Sequence, residues 1–230
     1  MDRLTATIGA GAVALVMGAG VSQAEIVNMT ITADNHYSIY SQSAGGGISF
    51  VGRNEVGPFG DPGQYNWSLP ETWNNINTTT TLYIAAWSDD YFAQGLLAQL
   101  SVVGGPTILT GDPQWQVFRT GIDLDDGDPE PGIATVAAQI ALATGGNLWR
   151  TPSVGQNNTP ATVPWNEIPG ITQDARWIWA NSLAGEDVFS PGADHGEFLL
   201  FRVTIPSPGA FAMAGVAGLV ALARPRRSAK

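Results

Sequence analysis

Strict two-residue alternation, broken at intervals by glycine and proline, most limits what this chain can become. Val27, Met29, Ile31 and Ala33 fall on one side while Asn28, Thr30 and Thr32 fall on the other, the signature of a strand with one buried face. Leu199, Phe201, Val203 and Ile205 repeat the pattern far down the chain. Between them, Thr80–Ser88 (TTLYIAAWS) sets Leu82, Ile84 and Ala86 against Tyr83, Ala85 and Trp87. Apolar residues on both sides predict a central strand covered on both faces.

Shorter strands are expected at His36–Tyr40, Ile48–Val51, Gly95–Val103, Trp115–Phe118 and Arg176–Trp179. Ile133–Ala143 is the helical candidate, with Ile133, Val136, Ala137 and Ile140 at helical spacing and Gly145-Gly146 to stop it. Residues 52–79 and 147–174 read as irregular, because Gly57-Pro58, Asn74-Asn75, Pro152, Pro160, Pro164 and Pro169 break them. About eight short strands with long Gly/Pro-rich connections predict an all-β chain folded as a jelly-roll β-sandwich, with one short helix and a single domain over 25–205.

Charge narrows the function classes. Residues 25–205 hold five arginines (Arg53, Arg119, Arg150, Arg176 and Arg202), no lysine and 19 acids, leaving −14 for the domain. Such a surface repels phosphate backbones, so no nucleic-acid partner is expected. With no cysteine in the chain, disulfides, thiolate metal sites and cysteine nucleophiles are excluded. Stability must then come from a hydrophobic core, for which eight Trp, eight Phe and five Tyr are available.

The two ends differ from the middle. Residues 1–24 carry a short charged start, an apolar run from Ile8 to about Val21 and the small-x-small ending Ser22-Gln23-Ala24, the form of a secretory signal peptide cut after Ala24 by signal peptidase. Residues 206–230 begin with Pro206-Ser207-Pro208, continue through an apolar run from Gly209 to Ala223, and end in a basic cluster containing Arg224, Arg226 and Arg227. Fifteen helical residues rise about 22 Å, short of a bilayer core of about 30 Å. That length suits a transient anchor better than a permanent helix, with the basic end left in the cytoplasm and the domain outside. The competing reading is a buried C-terminal helix.

The order of Pro-x-Pro, apolar span and terminal arginines resembles a PEP-CTERM sorting signal, although Ser207 stands where that family carries Glu. The resemblance implies an exosortase-type membrane enzyme that processes the tail, export to the cell surface or the extracellular space, and a setting of exopolysaccharide matrix. In the middle, Ile31–Tyr40, Tyr83–Trp87, residues 89–100, Thr110–Trp115 and Ala175–Trp179 are similar in order to segments of galactose-binding-like sandwiches. That resemblance implies a jelly roll that often binds carbohydrate and has no catalytic centre.

Candidate chemistry is sparse. Asp123, Asp125, Asp126 and Asp128 could hold a structural calcium ion, since hard cations need several carboxylate oxygens close together; the alternative is a solvated loop. Trp67, Trp73, Trp149 and Trp165 fall in stretches read as loops, and with Arg150 they are candidates to stack on and hydrogen-bond a sugar. Their alternative role is to cap the core. Trp87, Trp177 and Trp179 are expected inside. No catalytic residue is assigned: His36 and His195 are the only histidines, and neither has a partner at metal-ligand or triad spacing. A glycosidase built on two of the many carboxylates remains a third reading. The expected function is therefore carbohydrate binding or scaffolding in an extracellular polysaccharide matrix, with a purely structural surface protein as the competitor.

Overall fold

The computed structural model describes residues 24–54, 69–88, 93–125, 127–180 and 196–206. The signal segment and almost all of the tail, including Ser207, Pro208, Arg224, Arg226 and Arg227, lie outside these residues, as do Trp67, Asp126 and His195. The described chain is all-β with one helix: two antiparallel sheets packed face to face.

The first sheet orders its strands β4 (Glu71–Thr78), β1 (Glu25–Asp34), β6 (Gly95–Val102), β10 (Arg176–Trp179) and β9 (Ser153–Asn157), with β7 (Thr107–Leu109) also on β6. The second runs β3 (Ile48–Arg53), β2 (His36–Gln42), β5 (Thr81–Trp87), β11 (Glu197–Thr204) and β8 (Trp115–Asp123). Successive strands repeatedly change sheet, as the connections of a jelly roll do. The helix α1 (Ile133–Gly145) lies between β8 and β9 in the chain.

The alternation read from sequence sets the core. Val27, Met29, Ile31 and Ala33 of β1 and Leu96, Ala98 and Leu100 of β6 face Leu82, Ile84 and Ala86 of β5 and Leu199, Phe201 and Val203 of β11. All are 0–1% exposed. Both sheets are also apolar on their outer faces. Tyr83, Ala85 and Trp87 of β5 and Phe198 and Leu200 of β11 pack under Val136 and Ala143 of α1 and under Trp149. On the other side, Leu97 of β6 and Trp177 of β10 are covered by Trp165, Ile168 and Ile171. Trp87, Trp115, Trp177 and Trp179 are fully buried. Each contributes roughly 4–6 kcal/mol of gross transfer free energy at the usual area coefficient. Their indole N–H groups find no partner among the described residues, a cost of about 1–3 kcal/mol each. Burial wins, and a chain without disulfides is held by its aromatics.

Four expectations need correction. Glu71–Thr78, read as loop, is the edge strand β4, and Trp73 lies in it. Its alternation is broken by a bulge: Val27 pairs with Ile76 but Met29 pairs with Trp73, so the inward apolars are three residues apart. Asn75, at φ 57°, takes up the left-handed turn of that bulge. Ser153–Asn157, also read as irregular, is edge strand β9, whose residues SVGQN carry little apolar signal. The strand starting at Trp115 runs on to Asp123, so the acidic cluster begins inside β8. In α1 the covered line is Val136, Ile140 and Ala143, while Ile133 is 47% exposed and Ala137 is exposed.

The helix layer is tied to sheet two by polar contacts as well. The Tyr40 hydroxyl donates to the Pro131 carbonyl, and Arg53 donates to Glu130 at 3.0 Å while stacking on Trp87 at 5.4 Å. That hydrogen bond from Arg53 holds the Glu130 carboxyl below its ordinary value of 4.5. A depressed carboxyl adds stability above its unfolded pKa and loses it as pH falls through the folded one. The stability gap between wild type and Glu130→Gln, followed by urea denaturation, should therefore be constant above about pH 6 and shrink toward about pH 3. A gap that widens on acidification would contradict the pairing.

Tight packing also gives a test at the sheet edges. A Cβ on Gly52 would sit 2.1 Å from the Trp73 ring, whereas one on Gly45 meets nothing within 4 Å. Gly52→Ala should cost about 1–3 kcal/mol by overpacking, against a change of about 0.5 kcal/mol or less, or a slight gain, for Gly45→Ala. Equal effects in thermal denaturation would place Trp73 elsewhere.

Candidate functional site

Three of the four tryptophans proposed as sugar platforms are described, and each packs for an identifiable reason. Trp165 is 2% exposed; its ring stacks on Trp177 at 3.9 Å and its Nε1–H donates to Asp34 at 2.7 Å. The covering loop that carries it is stapled by Asn158, which is fully buried. The Asn158 amide donates to the carbonyls of Ile168 (2.9 Å) and Ile171 (2.8 Å) and accepts from the Ile168 N–H (2.7 Å). Trp149, 7% exposed, lies against Tyr83 and Phe118, and the Arg202 guanidinium covers its ring at 4.2 Å. Trp73 lies against Gly52 and donates to the Tyr37 hydroxyl at 3.0 Å. Trp149 and Trp165 therefore belong to the covers and offer no open stacking face, while Trp73 is half-buried at the sheet edge. Trp67 lies outside the described residues.

Of the four aspartates considered for calcium, Asp123, Asp125 and Asp128 are described. Among the described residues no group of three or more His, Asp or Glu side chains converges on one point. Asp128 accepts the Asp125 N–H at 2.9 Å and its own N–H bonds the Asp125 carbonyl at 2.9 Å, which closes a turn. Asp123 is exposed at the end of β8. His36 is buried and stacks on Trp87 with ring centroids 5.1 Å apart. No described helix is long and apolar enough to cross a membrane.

Arg150, among the described site candidates, lines a cavity. The chain leaving α1 crosses the open side of the sandwich to reach β9, and on the way Arg150 pairs with the edge strand β8. Its N–H reaches the Val117 carbonyl at 2.9 Å and its carbonyl accepts the Val117 N–H at 2.8 Å. Beside this crossing lies a cleft of about 460 Å³, walled by Phe118 and Arg119 of β8 and by Leu148, Arg150, Thr151 and Ser153. A second hollow of about 220 Å³ lies beside Thr151, bounded by Asp112, Trp115 and Ile178. The larger volume falls in the range of about 300–1,000 Å³ that small-molecule sites occupy.

The two arginines are held differently. Arg119 is gripped through Nε and Nη2 by Glu197, whose other oxygen accepts the Gly121 N–H at 2.6 Å. Gly121, at φ 68°, lies where β8 bulges against β11, so one carboxylate fixes both the bulge and the arginine. Arg150 is exposed, and its Nη1 donates to the carbonyls of Asn147 (2.8 Å) and Trp149 (3.0 Å). No described carboxylate neutralises it. The described lining residues include two arginines and no acid, in a domain of net −14 with five arginines.

Phe118, Arg119, Leu148, Thr151 and Ser153 were not among the sequence candidates. The available signal was the scarcity of cations: two of five arginines meet at one cleft. Burial shifts two neighbours as well, raising the Tyr83 hydroxyl and lowering Arg202 from their ordinary values. No protein-family model, curated protein or solved structure matches the chain.

Because Trp149 serves the cover over sheet two, Trp149→Ala should cost about 3–5 kcal/mol, with a lowered melting temperature as the readout. An unchanged melting temperature would mean that the ring is dispensable to the fold.

Proposed function

We propose that this protein is an exported, non-catalytic β-sandwich of the cell surface or extracellular matrix, and that it binds carbohydrate at the cleft beside Arg150. The observation that carries the reading is the cleft itself. Its wall combines apolar patches from Phe118 and Leu148 with hydroxyls and guanidinium donors from Thr151, Ser153, Arg119 and Arg150. Sugars present both kinds of surface: C–H faces that pack on apolar groups and hydroxyls that need directional donors and acceptors.

The sequence ends supply the address. Signal peptidase would remove residues 1–24, and the PEP-CTERM-like tail, with Pro206-Ser207-Pro208 and its basic stop at Arg224, Arg226 and Arg227, would hold the domain briefly at the inner membrane for an exosortase-type enzyme. The ends of the domain suit such handling. Glu25 pairs with Thr78, and the Ile205 N–H bonds the Thr80 carbonyl at 2.8 Å, so both ends leave from one pole.

A purely structural matrix protein is the second reading, favoured by one specific observation: Trp73, Trp149 and Trp165 are all spent on packing. A glycan array probed with the full chain in mild detergent separates the two. Reproducible binding to at least one saccharide class is expected, and silence across neutral, amino and acidic sugars would leave the structural reading standing.

A further inference from the structure

We infer that the cleft selects an anionic saccharide, a uronate carboxylate being the group it recognises, with Arg150 as the anchoring residue. This rests on the carbohydrate-binding reading above and names its ligand class.

The charge distribution points this way. A domain of net −14 places two of its five arginines on one cleft wall. Arg119 is neutralised by Glu197, so the unbalanced charge at the cleft is that of Arg150. A neutral sugar has no need of it. A carboxylate does, since guanidinium and carboxylate match in planar, two-pronged geometry and form the stronger, charge-assisted class of hydrogen bond.

Arg150 is also positioned in advance. Its backbone is locked to Val117 by two hydrogen bonds, and its Nη1 is held by the Asn147 and Trp149 carbonyls. Nε and Nη2 keep no protein partner among the described residues, and these are the pair a carboxylate takes side-on. Little side-chain entropy is then left to lose on binding. Thr151 lines the same wall for ring hydroxyls, and Phe118 and Leu148 for the ring's C–H face.

The net charge sets the ligand's size. At physiological salt the field of a charge decays over about 8 Å, so a carboxylate seated on Arg150 is shielded from most of the domain's acids. A long polyanion lying across the surface would meet many of them. A short oligouronate or a chain end is therefore the favoured form.

The test is titration calorimetry of the full chain in mild detergent with trigalacturonate and with its carboxyl-reduced neutral counterpart. Trigalacturonate should bind, the neutral trimer should bind roughly tenfold or more weakly, and the affinity should fall as salt is raised. Arg150→Gln should weaken trigalacturonate roughly 10- to 100-fold while the melting temperature falls by about 2–4 °C at most, since only the two Nη1 bonds of an exposed side chain are lost. Equal binding of the two trimers would overturn the anionic selectivity and leave carbohydrate binding intact. Trigalacturonate binding that Arg150→Gln does not touch would overturn the site. If neither trimer binds but the array finds another neutral sugar, only the ligand class fails; silence in both experiments removes the carbohydrate reading as well.

Discussion

Everything in this fold depends on covering two sheets that are apolar on both faces. A sandwich needs only its inner faces dry. Here β5 also turns Tyr83, Ala85 and Trp87 outward, and on the other sheet β6 and β10 turn out Leu97 and Trp177. Left in water, rings of this size would forfeit several kcal/mol each. The chain therefore spends the residues between β8 and β10 on two covers: α1 with Leu148 and Trp149 over one sheet, and the loop carrying Trp165, Ile168 and Ile171 over the other.

Those covers account for the cleft. To pass from one face of the sandwich to the other, the chain must cross its open side, and it does so at residues 150–153. The crossing is secured by the paired backbone bonds between Arg150 and Val117. A segment hydrogen-bonded to one edge strand while leading into another leaves a gap beside it, and the gap is the cleft. Arg119 and Arg150 reach it from the two sides, one from β8 and one from the crossing. The same requirement uses up the tryptophans. Once Trp149 and Trp165 serve as cover, neither has a ring face left for a ligand.

This explains what was legible in the sequence. The inner core was, because Val27 to Ala33 alternates without interruption, Phe201 to Ile205 does the same, and β5 shows both of its apolar faces in seven residues. Strand β4 was not, because the bulge at Asn75 puts its inward Trp73 and Ile76 out of step. Strand β9 was hidden by its composition, since an edge strand with polar neighbours needs few apolar residues. Position in a loop was correctly read for Trp149 and Trp165, but burial in a loop follows from what lies beneath it. The stacking of Trp165 on Trp177 joins residues twelve apart across an irregular segment, a distance at which no periodicity operates. Arg150 was singled out for its chemistry and Arg119 was not, because only the pairing of β8 with the 150–153 crossing brings the two together.

The position of the cleft bears on how the domain would work if its tail tethers it. Glu25 and Ile205 leave at the pole marked by the Thr78–Thr81 turn, whereas Val117 and Phe118, the third and fourth residues of β8, pair with Phe201 and Leu200 at the middle of β11. A domain held at Pro206 would thus carry its cleft on the flank, clear of the attachment point. Ile205 is 2% exposed and bonded to Thr80, so the fold reaches to within a residue of Pro206, and a tether starting there would leave little slack. A pole-mounted site would have faced either the membrane or the open medium. If the domain is tethered, a flank site would face sideways and would serve the tethered and the released form alike without rearrangement.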